Sequence, residues 1–336
     1  MTLRSFSVLA GTTAFAVVLA IATSLSFNSD SAVGERGNSF LPGLAQKATK
    51  ISTIKVTDGN SIVTLKREGD RFIDASGFPA KMKPVRDLVT SLSTLKIEET
   101  KTADKTRHGD LKLDVPTAKE GAGKLVSLLD EDDDVIERVV VGKSDYTVGG
   151  GGGGQYVRMA DTDQTYLVRG SVKLPYGRSG WFDTKLYKAD EKTITKITLS
   201  NSDADPVVLT KSNNKLTVKN LAQDKSADDA KISRVSGLIG SLDFDDVRAV
   251  KKDSKAIGPT IVAETEAGLR LTIASVDNPK SGARWVRISA TTLKDDAKKA
   301  ADELNARTDG FEFQLSSYQS DIFGWKLKDF EKKADS

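Results

Sequence analysis

His108 is the only histidine of the chain, and it stands among Lys105, Arg107 and Asp110. Histidine is the commonest general acid or base, but no nucleophile or orienting partner lies at a readable spacing, so a surface loop residue is expected. Asp130, Glu131, Asp132, Asp133 and Asp134 concentrate the oxygen chemistry that calcium requires. An EF-hand alternates its ligands around a central glycine and closes on a glutamate; none of these falls in place, which leaves a solvated hairpin turn. The glycine run 149–154 offers backbone amides of the kind that cradle phosphate. No Lys-Ser or Lys-Thr and no helix follow it, because Tyr156-Val157-Arg158-Met159 reads as a strand. With one histidine and no cysteine, only carboxylates are left as metal ligands. No catalytic residue, cofactor or metal site is therefore assigned, and no enzyme is expected.

What remains is recognition chemistry. Tyr156 and Arg158 are answered later by Trp285 and Arg287 in the same aromatic-Val-Arg pattern, and these four are the expected ligand or partner contacts. Aromatic rings and guanidinium groups dominate binding surfaces because they bring large area at low entropic cost. Trp181 and Trp325 each follow a glycine at equivalent places and Trp285 replaces Tyr156, which points to packing first for all three, with stacking on a sugar or peptide as the other reading.

Positioning such residues twice requires a duplicated scaffold. Ile51, Ile54 and Val56 reappear as Ile194, Ile197 and Leu199; Val85, Leu88, Leu92 and Leu95 reappear as Ile232, Val235, Ile239 and Leu242. Gly180-Trp181 reappears as Gly324-Trp325, with order kept throughout. Runs at 51–56, 62–65 and 71–73 are strand-like, and Pro84 opens a helical spacing that lasts to Lys96. A meander of short β-prone runs follows at 124–129, 135–141, 156–159 and 165–168. The second copy repeats the scheme at 260–266, 269–276, 285–289 and 311–315, with Asp228 or Asp229 capping its helix. Residues 292–307, rich in alanine and charge, predict an exposed helix or long excursion. The expected fold class is α+β: an amino-terminal transmembrane helix, then two tandem repeats, each an antiparallel sheet packed against an amphipathic helix. The expected divisions are an anchor or signal over 1–28, a flexible linker over 29–50, repeats over 51–190 and 191–330, and a polar tail over 331–336.

The anchor rests on residues 6–27, from Phe6 to Phe27, an uncharged run long enough to span hydrocarbon and preceded only by Arg4. It predicts a single-pass protein of the bacterial inner membrane with its bulk in the periplasm; a cleaved signal peptide is the competing reading. Fifty basic against 47 acidic side chains leave no basic footprint for nucleic acid.

Taken together, the opening Ile-x-x-Ile strand, the amphipathic helix, Gln155-Tyr156-Val157-Arg158, Thr165-Tyr166-Leu167-Val168 and Trp181-Phe182-Asp183 before a second Ile-x-x-Ile strand resemble domain of unknown function 4340. The glycine run 149–154 and the charged segment 292–307 depart from that pattern. The resemblance implies an exported auxiliary component found beside gliding-motility-type ABC transporters, with transporter subunits as partners, and it implies no catalytic residue. The expected function is a membrane-anchored periplasmic accessory or binding protein; the alternative is a cell-envelope module that binds glycan or polymer.

Overall fold

Alternation of apolar and polar side chains builds the first sheet. The computed structural model describes residues 36–332 apart from positions 60, 117–121, 149–152, 202–203, 252–254 and 278–281. The chain divides into two compact units, Met1–Phe182 and Asp183–Ser336. Ahead of the first strand, Leu44–Lys47 makes a single helical turn (α1), and Phe40, Leu41 and Leu44 are buried. Within the stretch read as linker, residues 36–50 thus pack on the first unit through Phe40, Leu41, Leu44 and Ala48. Strands β1 (Thr53–Asp58), β2 (Ser61–Glu68) and β3 (Arg71–Asp74) bury Ile54, Val56, Val63, Leu65 and Phe72. Helix α2 (Met82–Ser93) begins after extended Lys81, carries Pro84 in its first turn, and buries Val85, Leu88, Val89 and Leu92. Each such side chain contributes about 1.5–3 kcal/mol by leaving water. The chain then runs through β4 (Lys96–Thr100), β5 (Lys124–Leu129), β6 (Val135–Asp145), β7 (Gly154–Met159) and β8 (Thr165–Arg169). The eight strands are ordered β3-β2-β1-β5-β6-β7-β8-β4, and every neighbouring pair is antiparallel.

The second unit begins with β9 (Lys185–Lys188), followed by β10 (Ile194–Asn201), β11 (Ala204–Ser212) and β12 (Lys215–Val218). Helix α3 (Asp229–Gly240) starts at Asp228, whose carboxylate accepts from the backbone N–H groups of Ala230 and Lys231 at 2.9 and 3.2 Å. Then come β13 (Ser241–Asp243), β14 (Asp246–Ala249), β15 (Thr260–Thr265), β16 (Leu269–Ser275) and β17 (Arg284–Thr292). Helix α4 (Lys298–Thr308), β18 (Phe311–Leu315) and the turn α5 (Ser317–Ser320) complete the unit. Its large sheet is ordered β12-β11-β10-β15-β16-β17-β18-β14, the same path as in the first unit, while β9 and β13 form a separate two-stranded sheet.

The α+β expectation with a transmembrane helix is corrected by these elements. Among the described residues strand accounts for 42% and helix for 25%, so two eight-stranded antiparallel sheets, rather than a balance of sheet and helix, define the architecture. Among the described residues no helix is long and apolar enough to cross a membrane. The single-pass inner-membrane placement, with the bulk in the periplasm, is corrected on the same ground. The segment Phe6 to Phe27 that carried it lies outside the described residues. Within residues 292–307 the expected helix is found as α4, but one of its faces is covered rather than exposed. It lies on β17 with Ala301, Leu304 and Thr308 buried. Small side chains allow the close approach, and the Asn305 amide both accepts from the Ala290 N–H and donates to the Ala290 carbonyl, each at 2.8 Å.

Candidate functional site

The first unit carries an open polar cleft of about 440 Å³ where β4 and β7 meet the short turns that precede β5. Glu99 and Lys101 line it from β4 and its continuation, Arg107, Asp110 and Leu111 from the turns, and Tyr156 from β7. The register of β6 shifts between Val141 and Ser144, and the irregular stretch carries Lys143. Lys143 Nζ lies 5.5 Å from the Tyr156 ring centroid and also donates to the Asp110 carbonyl at 2.7 Å. The Tyr156 hydroxyl donates to Asp145 Oδ2 at 3.1 Å. Burial, and then this hydrogen bond, raise the phenol above its ordinary range, so Tyr156 is a fixed donor at neutral pH rather than a nucleophile.

The charges around it are similarly committed. Asp145 is held below the usual carboxylate range, first by the Thr147 hydroxyl and then by the Thr147 N–H, at 2.6 and 2.9 Å. Lys101 pairs with Glu99 at 2.6 Å, and that hydrogen bond raises its ammonium. The cleft therefore presents a phenol, lysines and carboxylates tied to one another by hydrogen bonds.

Arg158, two residues along β7, is 4% exposed and turned inward. Its Nε donates to the Leu113 carbonyl at 2.8 Å, and its Nη1 to the carbonyls of Met159, Ala160 and Thr162 at 3.1, 3.0 and 3.2 Å. Burial lowers its guanidinium from the ordinary value. Arg158 thus ties the segment around Leu113 to the β7–β8 turn. His108 belongs to the same seam. Expected on the surface, it is 3% exposed with Nε2 2.9 Å from the Asp163 carbonyl, because the turn it occupies folds under rather than out. Gly142 permits this packing, since a Cβ there would lie 2.3 Å from the Leu111 carbonyl oxygen.

In the second unit the equivalent strand carries Trp285 and Arg287. Register makes the correspondence: Arg158 pairs with Thr165 across β7 and β8, and Trp285 pairs with Gln314 across β17 and β18, which sets Arg287 against Glu312. Arg248 of β14 pairs with Glu312 in the same ladder. The Glu312 side chain is 0% exposed. Its Oε2 accepts from Arg248 Nε and Nη2 at 2.9 and 2.8 Å, and its Oε1 from Arg287 Nε and Nη2 at 3.3 and 3.0 Å. Arg248 also stacks on the half-buried Trp285, with Cζ 4.0 Å from a ring centroid. Two cations on one buried carboxylate leave one positive charge beside an indole.

The structure therefore places Tyr156 in a cleft, Arg158 in a carbonyl cage, and Trp285 and Arg287 in one network, each pair within its own unit. Glu312, Arg248, Lys101 and Asp145 were not found from sequence. The only signal for Glu312 is its position between two phenylalanines in Phe311-Glu312-Phe313, where alternation puts a lone acid on a covered face. The other motifs resolve locally. Asp130 Oδ1 accepts from the Asp132 and Asp134 N–H groups at 3.1 and 2.9 Å within the β5–β6 hairpin. No cluster suited to a metal occurs among the described residues. Of the glycine run, 149–152 lie outside the described residues, while Gly153 turns with φ 63° and Gly154 opens β7.

A family model described as "Domain of unknown function (DUF4340)" matches residues 71–260. The match runs from β3 to the first residue of β15, so it takes in Lys101, Tyr156 and Arg158 and stops short of Trp285, Arg287 and Glu312. No curated protein matches, and no solved structure matches.

Proposed function

The chain belongs to the family of domain of unknown function 4340, and from that premise we propose that it is a non-catalytic accessory protein that binds a component of an ABC-type transport system. One observation supports a binding role above others. At the same place in each sheet an aromatic ring lies beside a cation: Lys143 by Tyr156 in the first unit, Arg248 on Trp285 in the second. Around both rings charged groups are held by hydrogen bonds: Asp145 by the Tyr156 hydroxyl, Lys101 by Glu99, and Glu312 by Arg248 and Arg287. Aromatic and arginine side chains of this kind are the usual anchors of protein interfaces. The transporter partner comes from the resemblance to auxiliary components found beside gliding-motility-type ABC transporters.

Affinity purification of the tagged full-length chain from its native cells tests the reading. An ABC ATPase or permease subunit is expected to co-purify, and Tyr156→Ala with Trp285→Ala is expected to release it while circular dichroism stays unchanged. Absence of any such subunit from the wild-type eluate would refute the proposal. Retention of a polysaccharide instead would favour the glycan-binding alternative.

A further inference from the structure

The two units differ most usefully where helix covers sheet. Register equates Ile54 with Ile197, Arg67 with Lys211 and Phe72 with Leu216, because β1–β3 and β10–β12 pair in the same way. Helices α2 and α3 are each 12 residues long, which sets Met82 against Asp229, Val85 against Ile232, Arg86 against Ser233 and Val89 against Ser236. In the first unit, Phe72, Met82 and Val89 fill the space between helix and sheet, leaving a void of about 30 Å³. In the second unit the same space is lined by Leu216, Asp229 and Ser236, and a groove of about 230 Å³ opens. Four of the paired positions carry a smaller or more polar side chain in the second unit: Leu216 for Phe72, Asp229 for Met82, Ser233 for Arg86 and Ser236 for Val89.

The groove has a definite chemistry. Its floor is apolar: Ile194, Leu216 and Ile232 are 0%, 9% and 6% exposed. Its rim holds three lysines, Lys192, Lys211 and Lys215, and two acids, Glu191 and Asp229. Lys215 is paired with Asp229 at 2.9 Å and Lys211 with Glu266 at 2.7 Å. The Ser236 hydroxyl donates to Glu191 at 2.6 Å. Lys192 is exposed and has no ion pair among the described residues. The lining residues of α3, Asp229 to Ser236, span about two turns, about 11 Å, which matches an extended chain of about eight carbons.

We infer that this groove between α3 and β10–β12 binds a single-chain amphipathic anion, its apolar chain on Ile194, Leu216 and Ile232 and its carboxylate on Lys192. The inference does not depend on the accessory-protein reading, since it concerns a different face and a different ligand. Sodium octanoate is the probe, titrated calorimetrically into the full-length protein, with octylammonium chloride as the charge-reversed control. Saturable binding of one octanoate is expected, with octylammonium weaker by about tenfold, the effect of losing one charged hydrogen bond. Leu216→Phe with Ser236→Val, which installs the residues of the first unit, is expected to abolish binding with the melting temperature kept. If that pair of substitutions does not fold, Lys192→Glu on the exposed rim decides, with about a tenfold loss expected. Absence of saturable octanoate binding, tighter binding of octylammonium, or unchanged affinity in these variants would overturn the inference.

Discussion

Glu312 gives the most direct test of the second unit. Its carboxylate is fully buried and accepts four hydrogen bonds of 2.8–3.3 Å from Arg248 and Arg287. Glu312→Gln keeps the shape and removes the charge, leaving two guanidinium groups facing each other across an amide. Removing one partner of a buried pair costs about 3–5 kcal/mol. The two arginine side chains remain 36% and 30% exposed, so water recovers part of that loss. About 2–3 kcal/mol is therefore expected. For a unit of about 150 residues this lowers the melting temperature by about 4–12 °C. Differential scanning calorimetry should show the second unit melting earlier, and Trp285 emission should change in the same transition, because Arg248 loses the carboxylate that holds it on the indole. The Arg287→Gln variant and the double variant close a cycle, and a coupling of about 1–3 kcal/mol is expected. A shift below about 1 °C, or strict additivity in the cycle, would refute the view that this carboxylate organises the network.

Further expectations concern both units. Arg158→Lys loses the spread of four carbonyl contacts and should destabilise the first unit by about 2–4 kcal/mol in urea denaturation. Gly142→Ala forces a Cβ against the Leu111 backbone and should cost about 1–3 kcal/mol in the same assay, whereas Gly77→Ala, with open space but φ 86°, should show only conformational strain of about 1 kcal/mol. Asn305→Ala removes both bonds to Ala290 and should expose α4 to faster amide exchange. Glu137 is pushed above the usual carboxylate range by burial, against the pull of Lys47. A carboxyl raised on folding contributes stability below its unfolded value and loses it as pH rises through the folded value. Glu137→Gln should therefore be more stable than wild type at pH 7, with the advantage vanishing towards pH 4 in calorimetric scans.

Much of the scaffold was legible because period-2 burial is written in the chain. The runs at 260–266 and 269–276 read as strands and are β15 and β16, where buried positions alternate with half-buried ones and Ile261, Ala263, Leu269, Leu271 and Ile273 point inward. The helix read over 84–96 is α2, ending earlier because Leu95 and Ile97 are buried in the extended chain that follows it. The edge strands β4 and β14 were not found. Lys-Ile-Glu-Glu-Thr and Asp-Val-Arg-Ala each offer one large apolar residue, and their pairing is imposed by β8 and β18 from outside. The membrane-spanning fold class failed for a different reason: hydropathy over a window reports transfer to hydrocarbon, not which elements make up the body of the protein. Site residues were half legible. Aromatic-Val-Arg stood out as a repeated phrase, but nothing in sequence said that Arg158 would turn to carbonyls while Arg287 would find Glu312. That choice is made by Thr165 against Glu312, one residue on a neighbouring strand.

The path β3-β2-β1-β5-β6-β7-β8-β4 also governs how each unit comes into being. After α2 the chain lays down β4, but its partner strand β8 lies at Thr165–Arg169, more than sixty residues later in synthesis. In the second unit β14 waits in the same way for β18 at Phe311–Leu315. Contacts of such long sequence separation pay their loop-closure entropy before they return any stabilisation. A nascent chain halted before either closing strand leaves a nearly complete sheet with an unpaired margin, so each unit reaches its native state only when its last strand has left the ribosome.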